Sequence, residues 1–399
     1  MMDSEVSVLL HCAAWRGLKE SQVHVELADR FNRRTDPTLE HQIEEVWAER
    51  VTKEPWLFNG SKFRLHSFCL ASPACNSSAS VSPKSTFCTH SPHIPESDCS
   101  EDQEGELPNI RVHNAEGSLC SSDSLFDTDK RKRCVNQDEI KQIQAFSEQS
   151  VLQITADPQT RPLLTLRLGL TCYKDYLGTN WSCRVAELRR QGEVEFSDPL
   201  ALLAQPLGVG GVLCTGDGQV VLIRRSQKVA EAGGLLDIPG GHPEPKVVCE
   251  CLGQMVQEEQ ISVDMMQPRA VISELFSSVC AEIRDEVNIP LSSLGEPVLL
   301  GVALNHTSAC RPSAEFYVSC SLTSDDVREL YWKGGAEASE STDIVFLSRK
   351  DVLQLDRHSP LWSELCPSAK GAMLLYQAVK PDGEQGTSRG NDTSGNKPT

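Results

Sequence analysis

The chain has 399 residues, with 38 basic and 56 acidic side chains and a net charge of −18. That balance argues against nucleic acid or a membrane surface as a broad partner, because phosphates would be repelled. It leaves room for one small anionic ligand held by a local arginine and a metal.

A hydrophobic fraction of 39% with 24% charged residues fits a soluble globular protein with some unstructured sequence. No apolar run approaches the roughly 18 residues a membrane helix needs. The opening "MMDSEVSVLLHCAAW" has no basic region before its short apolar run, so it does not read as a secretory signal. The 16 cysteines contain no CxxC pair and read as reduced thiols. The expected location is therefore intracellular, cytoplasmic and/or nuclear.

In chain order, 1–72 reads as folded. "HQIEEVWAERVTKEPWLF" starts with helical apolar spacing at Ile43, Val46 and Trp47, and "KFRLHSFCLA" alternates as a strand does. Residues 73–138 are rich in Ser, Pro, Cys and acid without apolar periodicity, and read as a disordered insertion. Its basic run at 129–133 matches a nuclear-import patch only weakly.

From about 150 an α/β texture resumes. "PLLTLRLGLTCY" is a strand, and "NWSCRVAELRRQGE" is a helix begun near Asn180. "GVGGVLCTGDGQVVLIRRS" gives two apolar strands around Gly-Asp-Gly, a hairpin signal. "LLDIPGGHPEP" is a strand running into a glycine-proline turn. "PVLLGVALN", "AEFYVSCSL" and "DIVFLS" follow as strands, and "SAKGAMLLYQAV" as a closing helix. The tail 381–399 reads as disordered.

"ELFSSVCAEIRDEVNIP" places Leu275, Val279 and Ile283 on one helical stripe, with Pro290 closing the helix. Glu282 and Glu286 then stack on adjacent turns of one face, beside Asp285. Like charges so placed cost a few tenths of a kcal/mol per pair. The spacing alone leaves two readings open: a solvated acidic face, or a cradle for Mg²⁺ or Mn²⁺, which want oxygen ligands.

These residues resemble the second half of the pattern G-x5-E-x7-R-E-U-x-E-E-x-G-U of the Nudix hydrolases, where U is a bulky aliphatic. Glu282 matches the first metal-binding Glu, Asp285 and Glu286 the acidic pair, and Ile283 and Ile289 the aliphatic positions. Ala281 stands in place of Arg and Asn288 in place of Gly, a mild change because Asn tolerates the left-handed conformation of a helix end. The Gly-Gly turn of "LLDIPGGHPEP" resembles the opening of the pattern. Ala281 lies 40 positions after Gly241, where 14 are called for, so about 26 residues are inserted. Glu274 falls one position from the pattern's first Glu. A strict motif search is expected to miss the chain.

Further blocks are similar to the UDP-glucose (UDP-sugar) pyrophosphatase branch of that family, among them "EPWLFNGSKFRLHS", "LRLGLTCYKDYLGTNW", "LIRRSQKVAEAGG" and "ELCPSAKGA". The resemblance implies an α/β Nudix fold over 206–380, a mixed β-sheet sandwiched between helices. A smaller α/β N-terminal domain, 1–72 joined to 150–205, precedes it. It implies that Phe58 and Tyr173 sandwich a uracil, that Arg225 contacts phosphate, and that Ala230, Asp237, His242 and Glu244 line a nucleotide-sugar pocket. Glu282 and Glu286 would hold Mg²⁺, with Mn²⁺ as the alternative, and Glu286 or Glu315 would orient the attacking water. The expected reaction is hydrolysis of a UDP-sugar, UDP-glucose or UDP-galactose, to UMP and sugar 1-phosphate. The rivals are another nucleoside diphosphate substrate and an inactive nucleotide-sugar-binding module.

Overall fold

The computed structural model describes residues 3–71, 162–229 and 231–383. The segment 73–138 with its basic run, the tail from 384 and Ala230 lie outside the described residues.

The large sheet grows around the predicted hairpin. β5 (Gly208–Cys214) and β6 (Gln219–Arg225) are joined by a turn in which Gly218 takes φ +81°. The Thr215 hydroxyl accepts the Gln219 N–H at 2.9 Å and donates to Asp217 at 2.6 Å, which closes that turn. The two strands then diverge, and only Cys214 pairs with Val220. Into the gap run β7 (Leu236–Asp237), paired with β6, and β8 (Gly240–Gly241), paired with β5. The glycine-proline turn is thus inserted into the sheet and carries backbone N–H groups to its open end.

β9 (Val298–Asn305), β10 (Arg311–Ser319) and β11 (Ser341–Ser348) complete the C-terminal part. β1 (Val6–His11), from the start of the chain, pairs antiparallel with β9. The order is β1-β9-β10-β5-β6-β11, with β10 and β5 parallel. A second sheet has the order β2-β4-β3, from Val23–Leu27, Leu164–Cys172 and Ser61–Leu70. Beside it run α1 (Pro37–Lys53), α2 (Tyr173–Gly178) and α3 (Val185–Phe196). The helix expected near Asn180 begins at Val185. Asn180 is buried, and its amide holds the Ser308 carbonyl and the Gln205 N–H instead.

Of the sequence inserted ahead of the acidic helix, the first part forms α4 (Pro245–Cys251). α5 (Pro268–Val287) then begins with proline at its first turn, a position that needs no N–H donor. It starts earlier than its apolar stripe implies. Its end matches expectation: Asn288 takes φ 64° and its N–H returns to the Arg284 carbonyl. Leu275, Val279 and Ile283 are fully buried, in one core shared by the large sheet and the small one. Truncating such a residue to alanine costs about 2–5 kcal/mol. After α6 (Ser324–Lys333) and α7 (Arg349–Gln354), the opposite face of the large sheet is covered by α8 (Pro367–Val379), whose Ala369, Ala372, Met373 and Tyr376 are buried.

Candidate active site

α5 aims Glu282 and Glu286 at the inserted turn. Glu286 is buried, and its Oε2 accepts the Gly240 N–H at 2.9 Å. The Glu282 carboxylate lies directly against Gly241. Burial pushes Glu282 up to about 8, with Glu337, Asp285 and Glu244 adding repulsion against a smaller opposing pull from Lys62. Burial also holds Glu286 well above the ordinary carboxyl value, reinforced by Glu282, while the Gly240 N–H opposes it. A helix face left to water would show neither effect. Asp285 differs, since both its oxygens engage the Arg284 guanidinium at 2.7 and 2.8 Å.

Arg225 ends β6 in a fixed pose. Its Nε donates to the Glu231 carbonyl at 3.1 Å and its Nη1 to Asp237 Oδ2 at 3.0 Å. Asp237 also accepts from Ser368 Oγ at 2.9 Å. Asp237 therefore orients the arginine, and among the described residues no hydrogen bond engages its other terminal nitrogen. His242 follows the turn, and Arg311 Nη1 lies 3.5 Å from its Nε2. Burial, then Lys62 and Arg311, lower its pKa well below the usual histidine value, so it is neutral. Glu244 meets Lys62 at 3.4 Å, and its backbone N–H is held by Glu274 Oε1 at 3.0 Å. Glu274, displaced from the family pattern, thus fastens the start of the insertion.

On the small-sheet side, the Tyr173 N–H bonds to the Gly60 carbonyl at 3.0 Å and the Lys174 N–H to Asn59 Oδ1 at 2.8 Å. These bonds bring the Phe58 loop to Tyr173. The Phe58 ring is 68% exposed, free to cover a ligand. Tyr173 is edge-on to Trp47 at 6.4 Å and begins a row continued by Tyr176 and Trp181.

Against known proteins, no family model matches the chain. It is 40% identical over 95% of its length to 99% of uridine diphosphate glucose pyrophosphatase NUDT22 of Bos taurus. It is 39% identical over 95% of its length to 94% of the Homo sapiens protein of the same name. Nudix hydrolase 9 of Arabidopsis thaliana shares 27% identity over 94% of this chain and 91% of its own.

The chain belongs to the Nudix hydrolases. In this Nudix hydrolase the two halves of the box, separated in sequence, meet in space through the Gly240 to Glu286 hydrogen bond.

The donor set of the Nudix helix suits a divalent cation. Two carboxylates that repel each other, Glu286 buried and Glu282 half-buried, are hard oxygen donors whose ionised forms a cation would stabilise. Among the described residues no three His, Cys, Asp or Glu side chains converge as a metal cluster. The remaining positions would fall to phosphate oxygens and water, the usual arrangement for such ions at phosphate sites.

The structure does not bring Glu315 to that pair. Glu315 and Tyr317 point to the α8 side of the sheet, while their neighbours Ala314 and Phe316 pack on the α5 side. Glu315 is fully buried beneath Gly210, whose missing side chain leaves the room for it. Burial raises it to about 8; Ser313, two residues along on the same face and outside hydrogen-bonding geometry, offsets this only in part.

Two further residues were not singled out from the sequence. Glu231 receives the Tyr176 hydroxyl and pairs with Arg311 Nη2 at 3.0 Å, joining α2, the loop after β6 and β10. Arg311 shares a strand face with Ser313 and Glu315, so the alternation Arg-x-Ser-x-Glu was the available signal. Glu231 lies in a loop and leaves no periodic trace.

Proposed function

We propose that the chain hydrolyses the diphosphate bond of UDP-sugars, UDP-glucose and UDP-galactose among them, to UMP and sugar 1-phosphate. The observation that carries the reading is the pair Glu282 and Glu286 closing on the glycine turn, in a chain that matches uridine diphosphate glucose pyrophosphatases along 95% of its length. Glu282 and Glu286 would hold a divalent cation, Mg²⁺ or Mn²⁺. When bound, that ion supplies neutralisation of the diphosphate and a lower pKa for an attacking water.

The protein's own groups do the rest. The Gly240 N–H fixes the Glu286 carboxylate, which orients the water. Arg225, braced by Asp237, meets the negative charge that develops on the phosphates. Phe58 and Tyr173 enclose the uracil, each stack being worth about 1–3 kcal/mol. Neutral His242 and the Lys62–Glu244 pair border the phosphate path.

Product analysis with UDP-glucose and Mg²⁺ in ¹⁸O-labelled water tests the reading. UMP and glucose 1-phosphate are expected, and the label identifies the phosphorus attacked. Faster cleavage of ADP-ribose or a dinucleoside polyphosphate in the same assay would replace the substrate assignment. Binding of UDP-glucose without turnover under any divalent cation would replace the enzyme by a binding module.

A further inference from the structure

The sequence that separates the two halves of the box is fastened to the small sheet at two consecutive residues of β3. Glu244, near its start, meets Lys62 at 3.4 Å. Glu258, on a short 3₁₀ turn (Glu258–Gln260), takes both donors of Ser61 on one oxygen, the backbone N–H at 2.9 Å and the hydroxyl at 2.6 Å. Its other oxygen faces Lys246 at 3.7 Å. Donors that converge on a carboxylate form stronger bonds than neutral pairs do.

Ser61 opens β3 and pairs with Cys172, the last residue of β4. Backbone groups along such a strand alternate between its two edges. The Gly60 carbonyl turns toward β4 and accepts the Tyr173 N–H. The Ser61 N–H turns to the outer edge, on which the Phe63 carbonyl and the Leu65 N–H meet Leu207 and Gln205. Beyond that link, Glu258 supplies the acceptor. Residues 59–62 are thus tied one by one: Asn59 and Gly60 to the start of α2, Ser61 to Glu258 and Lys62 to Glu244. Phe58 is the next residue out, and its ring lies over Gly60, where a Cβ would come within 3.0 Å of it. Where that ring stands therefore depends on where Ser61 is held. A loop set before the ligand arrives loses less freedom on binding, which raises affinity.

We infer that Glu258 is a positioning residue for the nucleobase: by holding Ser61 it sets the Phe58 loop against the start of α2. The inference rests on the UDP-sugar reading above and on its placing of the uracil at Phe58 and Tyr173. The inserted segment then leads into α5, which carries Glu282 and Glu286, so one stretch of chain connects the cation end of the site with the base end.

The test combines calorimetric titration of UDP, with calcium as the cation, and steady-state kinetics on UDP-glucose with Mg²⁺. Glu258→Ala should weaken UDP and raise KM by roughly tenfold, inside the range of one base stack, with kcat nearly unchanged. Glu258→Gln keeps an oxygen for both Ser61 donors and should restore most of the affinity. Ser61→Ala, which removes one of the two bonds from the other side, should give a smaller effect of the same kind. In the Phe58→Ala background, adding Glu258→Ala should change UDP affinity by no more than about twofold, because the group it positions is gone. The rise in Tm on adding Mg²⁺ should match wild type in every Glu258 variant, and circular dichroism melts establish that each folds. A full tenfold loss on top of Phe58→Ala, or a fall in kcat and in the Mg²⁺ response, would make Glu258 a general brace and overturn the inference. Unchanged UDP affinity in Glu258→Ala would overturn it as well. If wild type binds no UDP, the UDP-sugar reading falls with it. If wild type binds UDP but leaves UDP-glucose intact, the hydrolase reading fails while the UDP titrations still decide the role of Glu258.

Discussion

The Glu282 carboxylate occupies the space a side chain on Gly241 would need: a Cβ there would lie 2.5 Å from Glu282 Cδ. Position 241 is therefore glycine because a carboxylate must pass close above the turn. Gly241→Ala should push Glu282 off its position and lower kcat by about 100-fold, the scale of a 1 Å misplacement at a reacting centre. Thermal stability should change little, since Glu282 can swing toward solvent. A variant of full activity would show that Glu282 tolerates displacement.

Glu282→Gln and Glu286→Gln should each lower Mg²⁺-dependent UMP release by roughly 10²–10³-fold, as losing a principal electrostatic group does. For Glu282→Gln, melts without metal at pH 8.5 should show the opposite sign, a rise in Tm, because the change removes a charge that Glu337 and Asp285 repel. Glu315→Gln is the control. It lies on the other face of the sheet and its carboxyl is neutral at pH 7, so activity should be essentially unchanged. Equal losses in all three would place Glu315 in the catalytic step.

The raised carboxyls set a direction for pH dependence. Glu282 and Glu315 titrate near 8 in the folded chain against about 4.3 unfolded. The folded state then holds more protons between those values, so stability falls as pH rises from about 4 through about 8. Metal-free melts should trace that fall. Added Mg²⁺ should raise Tm more at pH 8 than at pH 6, where protons compete for the same oxygens. A Tm that climbs over this window without metal would contradict the burial of these carboxyls.

Phe58 is exposed, so its removal should cost the fold little. Phe58→Ala should raise KM for UDP-glucose by roughly 5- to 100-fold, the range of one base stack, and reduce the preference for uridine over other nucleotides. Steady-state kinetics on UDP-glucose and ADP-ribose measure both. An unchanged KM would remove Phe58 from the base site.

The strands, the hairpin at Gly216–Gly218 and the acidic helix were legible in the sequence, because apolar periodicity and turn residues act over a few positions. The pair Glu282 and Glu286 was legible for the same reason: i and i+4 share a helix face in any fold. The start of α5 at Pro268 was less so, since its first turns carry no distinct stripe.

What only the tertiary structure decided is which groups meet. The Gly240 N–H reaching Glu286 across 46 positions, the splayed hairpin that admits the glycine turn, and Glu231 joining α2 to β10 depend on packing between distant segments. Glu315 makes the difference plain. Its strand position was readable, but the face it takes is set by which neighbours the core buries, and that placed it under Gly210 rather than beside Glu286. The sequence determined that two carboxylates would share a helix face and that a glycine turn would exist. Packing of α5 between the two sheets brought them together and made those carboxylates shielded from water, mutually repelling and suited to a cation.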